Sequence, residues 1–177
     1  MIVLTNAEGQ MMKKIKIAIG NDRCARDYKD RIKAYLKAND YEVIDCGTNI
    51  DKPVDYPIYG KMVGEKVACG ECEYGVVICG TGIGISIAAN KVDGIRCGIA
   101  YTDEVTKLMR EHNDANVISF GRRFMSYDDI KRRLDIFFNT DFIGDYHLTR
   151  VKQIKSIEDN DELWTEFPED DKKEFLE

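Results

Sequence analysis

The sequence feature that most constrains the fold is residues 75–86, whose sequence is GVVICGTGIGIS. The first five of these residues are small or apolar and predict a short buried strand that ends at Cys79. Glycine follows at positions 80, 82 and 84, and residues 85–91 predict the start of a helix. A strand that passes through such a turn into a helix directs several backbone N–H groups to one point, where the positive helix end also favours an anion.

A thiol at the end of the strand distinguishes this turn from common phosphate-binding loops. A dinucleotide fingerprint requires Gly-x-Gly-x-x-Gly, but the sixth position here is Ile85, and no lysine follows Gly84 as a nucleotide-phosphate loop requires. An anion-binding turn beside a potential thiolate favours an enzyme that creates negative charge on a substrate and stabilises it. The alternative is that the glycines only permit a tight turn and that Cys79 packs as a small apolar residue.

Strand-like and helix-like segments alternate along the rest of the chain. The predicted strands cover 15–20, 41–46, 75–79, 96–100 and 116–120. The predicted helices cover 27–38, a segment that ends near 68, 85–91, 103–111, 127–138 and 148–157. Repeated β–α units favour right-handed crossovers, so the sequence predicts an α/β fold with a parallel sheet and helices on both faces.

Polar segments follow three of these strands and predict one site, because ligands of open parallel sheets lie beyond the carboxyl ends of the strands. These segments are residues 21–23, 79–81 and 121–123. A fourth polar segment, 110–114, contains His112 and leads into the last strand, so its placement depends on where the chain returns. The chain has two histidines, His112 and His147, and either could be a surface or helix-cap residue.

Length and charge bound the domain organisation. A chain of 177 residues with 44% hydrophobic residues predicts one compact domain, which we place at 13–157 after a disordered leader at 1–12. Residues 158–177 carry ten acidic and two basic side chains, a net charge of −8, and predict an acidic tail. Since the whole chain carries −6, the body carries about +2 and lacks the basic stripe that nucleic-acid binding requires.

Six cysteines without a signal-peptide pattern favour reduced thiols in the cytoplasm. No apolar run of about 18 residues is present, so we predict no membrane-spanning helix. The Cys-x-x-Cys at 69–72 lacks a second ligand pair for zinc and precedes a strand rather than opening a helix. We interpret it as a coincidence at a helix end, and we expect neither a metal nor a cofactor.

Several ordered motifs resemble the sugar-phosphate isomerase family that contains ribose-5-phosphate isomerase B and the two galactose-6-phosphate isomerase subunits. The resemblance covers about residues 14–158, and its most specific part is CGTGIGISIAANK at 79–91. The supporting motifs are IAIGxD at 17–22, VIDxGT at 43–48, DYP at 55–57, GIR at 94–96, EHNDANV at 111–117 and HxxRV at 147–151.

The resemblance implies a Rossmann-like three-layer fold with a five-stranded parallel sheet. It also implies a homodimer or a dimer of dimers with shared active sites, in which the C-terminal helix reaches the partner. The implied reaction is aldose–ketose isomerisation of a phosphorylated sugar through an enediolate, without a metal. In that reaction Cys79 resembles the base that moves the proton between C1 and C2, beside Thr81, and His112 resembles the group that opens the sugar ring.

The resemblance further implies the residues that bind the substrate. Residues that resemble contacts to the sugar or the enediolate are Asp22, Tyr56, Gly80, Gly82, Gly84 and Asn113. Residues that resemble phosphate contacts are Arg123, His147 and Arg150, of which the last two are implied to reach the neighbouring subunit. We predict that Arg23, which departs from the family pattern, also binds the phosphate. This agrees with the chemistry, because removing a C–H proton next to a carbonyl needs a poised base and a prearranged oxyanion site.

Two positions depart from the family pattern. Arg23 stands where the family usually carries histidine, and Tyr146 stands where it usually carries arginine. Three functions therefore stay open: isomerisation of ribose 5-phosphate, isomerisation of a hexose 6-phosphate or tetrose phosphate, and phosphosugar binding by a non-catalytic subunit. The presence of Cys79 with the complete glycine turn argues against the third.

Overall fold

The computed structural model describes residues 14–50 and 52–163. The predicted leader at 1–12 lies outside these residues, as does the predicted tail beyond residue 163. The strands are β1 (Lys16–Asn21), β2 (Glu42–Asp45), β3 (Tyr74–Cys79), β4 (Cys97–Ile99) and β5 (Val117–Gly121). The helices are α1 (Arg26–Ala38), α2 (Tyr56–Ala68), α3 (Ile83–Ala89), α4 (Asp103–Glu111), α5 (Tyr127–Phe138) and α6 (Asp145–Glu158), with a short 3-10 helix at Arg23–Ala25.

The five strands form one parallel sheet in the order β2-β1-β3-β5-β4, which confirms the predicted architecture. The registers pair Asn21 with Ile78 and Cys79 with Gly121. The last residues of β1, β3 and β5 therefore lie side by side at the carboxyl edge of the sheet. This edge is where open parallel sheets bind ligands.

Alternation along each strand divides the core between the two faces of the sheet. Ile17 and Ile19 pack with α1, α4 and α5 on one face, whereas Ala18 packs with α2 and α3 on the other. The three layers follow because successive side chains of a strand point to opposite faces. Each fully buried isoleucine, such as Ile17, contributes about 1.5–3 kcal/mol relative to an exposed one.

Local capping fixes where several helices begin. The Thr102 hydroxyl accepts the Val105 N–H at 3.1 Å at the start of α4, and the Ser126 hydroxyl accepts the Asp129 N–H at 3.1 Å at the start of α5. Such N-cap bonds satisfy backbone donors that have no acceptor within the helix. The structure differs from the sequence prediction at two helix starts, because α3 begins at residue 83 and α6 at residue 145.

Hydrogen bonds near both ends attach helix α6 to the body. The Ile143 N–H, just before the helix, donates to the Glu111 carbonyl at 3.1 Å. At the other end, the Glu158 carboxylate accepts the Gly94 N–H at 2.9 Å. The predicted reach of this helix to a dimer partner stays a prediction. Within residues 14–50 and 52–163, no helix has the length and apolar character needed to cross a membrane.

Candidate active site

A cavity of about 600 Å³ lies at the carboxyl edge of the sheet, beyond the ends of β1 and β3. Its walls come from four parts of the chain: the end of β1, the start of α2, the glycine turn with α3, and the segment after β5. The predicted site residues that line it are Asp22, Arg23, Tyr56, Cys79, Gly80, Thr81, Gly84 and Arg123. Eight residues of the predicted set are thus brought together by the fold.

The Cys79 thiol lies at the base of this cavity with 4% of the residue exposed. The Gly82 N–H donates to Cys79 Sγ at 3.1 Å, a contact that a thiolate accepts more strongly than a thiol. Gly82 adopts φ +80°, and an added Cβ there would lie 2.9 Å from the Phe120 carbonyl carbon. Glycine is therefore required at position 82 both for the left-handed conformation and for the close approach of β5.

The backbone N–H groups that follow Gly82 are the next hydrogen-bond donors of the turn, and the first of them contacts Thr81. The Ile83 N–H donates to the Thr81 hydroxyl oxygen at 3.2 Å, which leaves the hydroxyl hydrogen available to a ligand. The N–H groups of Gly84 and Ile85 lie in the first turn of α3 and have no acceptor within the helix. The Gly82 N–H differs from the prediction, which made it a donor to the substrate, because it is bonded to the Cys79 sulfur.

Tyr56 forms the wall that faces the glycine turn. It is the first residue of α2, and 41% of it is exposed. An added Cβ on Gly84 would lie 2.6 Å from the Tyr56 ring. Any side chain at position 84 would therefore displace the ring and change the width of the cavity.

Two arginines line the cavity without an ion-pair partner in the described part of the chain. They are Arg23 and Arg123, and both side chains are exposed. An added Cβ on Gly80 would lie 3.4 Å from Arg123 Nε, so this guanidinium rests against the glycine turn. The neighbouring Arg122 instead pairs with Asp27 at 2.9 Å. Two unpaired guanidinium groups beside one cavity suit a phosphate or carboxylate ligand.

The sequence pattern does not indicate a role for two further residues, Cys24 in the cavity wall and Lys29 beneath the 48–49 segment. The Cys24 thiol donates to Asp22 Oδ1 at 2.9 Å, whereas the sequence indicates for Cys24 only a reduced thiol. Lys29 is fully buried and its Nζ donates to the Thr48 carbonyl at 3.1 Å and to Asn49 Oδ1 at 2.7 Å. Lys29 lies on the buried face of α1 together with Ile32. A lysine on the apolar face of a predicted helix is the sequence signal that indicates a buried, paired cation.

Lys29 fixes the start of the segment that leads to the cavity wall at 53–56. Its Nζ also pairs with Asp45 Oδ2 at 3.1 Å. The Asp45 carboxyl is partly buried, and burial by itself would raise its pKa. The hydrogen bonds from Lys33, the Gly47 amide and Lys29 outweigh that effect and hold the pKa of Asp45 below its usual value. A buried cation is tolerated here because it is paired and hydrogen-bonded.

Gly82 belongs to the glycine turn, whereas His112, Asn113, His147 and Arg150 form a second group away from the cavity. Helix α4 starts beyond the carboxyl end of β4 and returns about 14 Å toward the amino edge of the sheet. His112 caps its far end, and the Asn113 carbonyl accepts from Arg96 Nε at 3.0 Å, just before β4 begins. The 110–114 segment, whose placement the sequence left open, therefore lies at the opposite edge from Cys79 within one chain.

This second group joins α4 to α6 through stacked rings. The His112 and His147 rings stack with centroids 4.0 Å apart and planes 12° apart. Tyr146 packs against His147 at 4.1 Å, and the Arg150 guanidinium lies 4.8 Å from the Tyr146 ring. Burial, followed by positive charge on His112 and Arg150, lowers the pKa of His147.

No cluster of three or more histidine, cysteine or acidic side chains suited to a metal ion occurs among the residues that the structure describes. Cys69 and Cys72 lie at the carboxyl end of α2, where the first is exposed and the second is buried.

The chemical groups that line the cavity are a thiol, a carboxylate, a hydroxyl, backbone N–H groups and two guanidinium groups. The fold and this cavity define an α/β protein with a site suited to a small anionic ligand beyond the ends of its strands.

Comparison with known proteins narrows this class to one family. The Ribose/Galactose Isomerase family matches residues 17–154 of this chain. The chain is 42% identical to ribose-5-phosphate isomerase B of Escherichia coli over 143 residues, which is 81% of this chain and 96% of that protein. It is 39% identical to galactose-6-phosphate isomerase subunit LacB of Clostridium acetobutylicum over 161 residues, 90% of this chain and 87% of that subunit.

A solved structure supports the same conclusion. The structure of ribose-5-phosphate isomerase B from Clostridium thermocellum matches with a TM-score of 0.81 and 45% identity, covering 82% of this chain and 99% of that one. The chain belongs to the ribose/galactose isomerase family and is a sugar-phosphate isomerase by its relatives. The relatives are named for two different sugar phosphates, so the substrate of this chain depends on the residues of its own site.

Proposed function

We propose that this protein catalyses metal-independent aldose–ketose isomerisation of a phosphorylated sugar, with ribose 5-phosphate converted to ribulose 5-phosphate. The observation that carries the proposal is one cavity that holds the N–H-bonded Cys79 sulfur together with Arg23 and Arg123, which form no ion pair with the described residues. A base and a phosphate site at one edge are what this reaction requires, because the proton to be moved is a weak acid and the substrate is anionic.

The proposed chemistry is a proton transfer within the substrate. The Cys79 thiolate removes the proton from C2 of the open-chain aldose, and the electron pair moves onto the C1 carbonyl oxygen. The resulting enediolate is stabilised by the Thr81 hydroxyl and by the N–H groups of the turn. Cys79 then returns the proton to C1, and the hydroxyl proton passes from O2 to O1. The Asp22 carboxylate accepts a hydrogen bond from a sugar hydroxyl.

We further propose that two copies of the chain complete each site. His112, Asn113, His147 and Arg150 have their roles at a second subunit's cavity, where His112 opens the sugar ring and His147 and Arg150 contact the phosphate. The support is the separation of this group from Cys79 across the sheet. A single chain would need a movement of about 14 Å, the length of α4, to join the two groups.

A second candidate function is isomerisation of another aldose phosphate. Arg23 lines the cavity where the family usually carries histidine, and guanidinium is longer, forked and permanently charged. Such a change moves the phosphate relative to Cys79 and so alters which chain length fits. The relative named as a galactose-6-phosphate isomerase subunit, at 39% identity, makes a six-carbon substrate the first alternative.

A coupled assay of aldose phosphates with four, five and six carbons tests these proposals. We expect the highest kcat/KM with ribose 5-phosphate, unchanged activity after treatment with a chelator, and little turnover of unphosphorylated ribose. A higher kcat/KM with a hexose 6-phosphate or tetrose phosphate would establish the second candidate instead. If none of these sugar phosphates were turned over, the result would contradict catalysis and favour a non-catalytic subunit that binds phosphosugars.

A further inference from the structure

Cys24 makes a paired contact with the carboxylate that lines the cavity. Asp22 Oδ1 accepts the Cys24 N–H at 3.0 Å and the Cys24 thiol at 2.9 Å. The first contact is the N-cap bond of the short 3-10 helix that follows β1. The thiol contact is not needed for that cap, so it requires a separate explanation.

The thiol contact changes which oxygen of Asp22 is available. Both printed bonds to the carboxylate fall on Oδ1, and Oδ2 has no hydrogen-bond partner within residues 14–50 and 52–163. Two bonds on one oxygen oppose rotation of the carboxylate about its last torsion angle. Since Asp22 lines the cavity, the unused oxygen is the one that a substrate hydroxyl can reach.

Cys24 itself belongs to the same wall. Its sulfur would lie 3.5 Å from a Cβ added to Gly80, next to Arg123. Burial, then the hydrogen bond to Asp22 and the charge of that carboxylate, raise the pKa of the Cys24 thiol to about 12. The thiol is therefore protonated near neutral pH and acts as a hydrogen-bond donor rather than as a second base.

We propose that Cys24 is a positioning residue, whose thiol and amide hold Asp22 Oδ1 so that Oδ2 is presented to a substrate hydroxyl. This inference rests on the proposed isomerase function and adds a specific element of substrate alignment to it. A carboxylate that is already oriented loses less conformational freedom when the substrate binds. The thiol thus contributes to the alignment of the sugar and not to proton transfer.

The test compares two substitutions at one position. Cys24→Ala removes the donor and is expected to lower kcat/KM by about 2- to 10-fold, the range of one net hydrogen bond with a weak donor. Cys24→Ser retains a donor and should restore kcat/KM to within about threefold of wild type. Cys69→Ala removes an exposed thiol far from the cavity and serves as the matched control, with unchanged kcat/KM.

A double-mutant comparison separates positioning from a general loss of structure. In an Asp22→Ala background, Cys24→Ala should have no further effect, because the carboxylate that it orients is gone. An equal fold-loss in both backgrounds would overturn the proposal, as would wild-type kcat/KM in Cys24→Ala. A Cys24→Ser enzyme as impaired as Cys24→Ala would also overturn it.

A spectroscopic readout keeps the contact testable without turnover. The S–H stretching band of Cys24, isolated as the difference between wild type and Cys24→Ala, should lie at lower frequency than in Asp22→Ala, since a carboxylate acceptor weakens the S–H bond. An identical band in both proteins would overturn the contact. If wild type lacks isomerase activity while the band shifts as expected, the proposed function fails and the contact stands.

Discussion

The two thiols of the cavity have opposite hydrogen-bonding roles at the scale of single residues. Cys79 accepts an N–H bond through its sulfur, whereas Cys24 donates its S–H to a carboxylate. The donated bond keeps the Cys24 thiol protonated, because hydrogen bonding from the neutral form of an acid raises its pKa. The sequence predicts Cys79 as the base because of its place at a strand end, but the role of Cys24 depends on how the chain turns after Asp22.

The first prediction concerns the proposed base. Cys79→Ala should lower kcat by about 10² or more and leave KM within several-fold of wild type, because a general base acts in the chemical step. Steady-state kinetics with ribose 5-phosphate measure both constants, with Cys69→Ala as the control for loss of a thiol. Near-normal turnover of Cys79→Ala would rule out this residue as the base.

The second prediction concerns the phosphate. Arg23→Ala should weaken binding of the phosphorylated substrate by about 10- to 150-fold, the range of a charge-assisted contact, and affect any activity toward the unphosphorylated sugar little. Arg122→Ala is the matched control, because that arginine is adjacent to Arg123 but pairs with Asp27. An unchanged KM in Arg23→Ala would mean that Arg23 faces solvent and that the 48–57 segment sets substrate choice.

At the scale of secondary-structure elements, most boundaries could be predicted because hydrophobic periodicity determines them. Strand β3 and helix α4 begin and end within one residue of the predicted positions. The short 3-10 helix at Arg23–Ala25 was missed, since it depends on a side-chain bond from Asp22 rather than on periodicity. The early start of α6 also escaped prediction, because Asp145 adopts φ +49° after a glycine.

The third prediction concerns the link between α4 and α5. Asp103 accepts hydrogen bonds from Arg132 at 2.5 Å and Arg133 at 3.1 Å, and these bonds hold the pKa of Asp103 below its usual value. A carboxylate with a lowered folded-state pKa stabilises the fold above its unfolded pKa of about 3.9, and this contribution is lost as the pH falls further.

Asp103→Asn should therefore lower Tm by about 1–3 °C at pH 7 and by less near pH 3. Thermal unfolding of wild type and variant at both pH values measures the difference. Asp30→Asn is the control, because Asp30 is exposed and forms no ion pair with the described residues. A Tm difference that is the same at both pH values would contradict the charge-based explanation.

At the scale of the whole molecule, the site residues separate into one group at each edge of the sheet. The carboxyl-edge group could be predicted, because three strands carry polar segments where they end. The contact between His112 and His147 could not be predicted from sequence, since it depends on how α6 packs against the end of α4. The order of the strands is likewise not specified by a local motif, because parallel strands pair across long crossover connections.

The fourth prediction tests whether two chains share each site. A Cys79→Ala subunit and an Arg150→Ala subunit should each have a strongly reduced kcat/KM alone, yet a mixed dimer should regain activity because one of its two sites receives both intact groups. The measurement is kcat/KM of purified heterodimers carrying different affinity tags. Verified heterodimers without recovered activity would contradict shared sites and require each chain to form its site alone.

The separation of the two groups also has a genetic consequence under the proposed assembly. Two lesions on different chains, one in each group, leave an intact site in every mixed dimer. The same two lesions on one chain spoil both sites of a dimer with a normal chain, so activity is then confined to dimers of two normal chains. With equal amounts and random pairing, about one quarter of all sites are intact in either case, so the arrangement of the lesions decides which dimers are active and not the total activity.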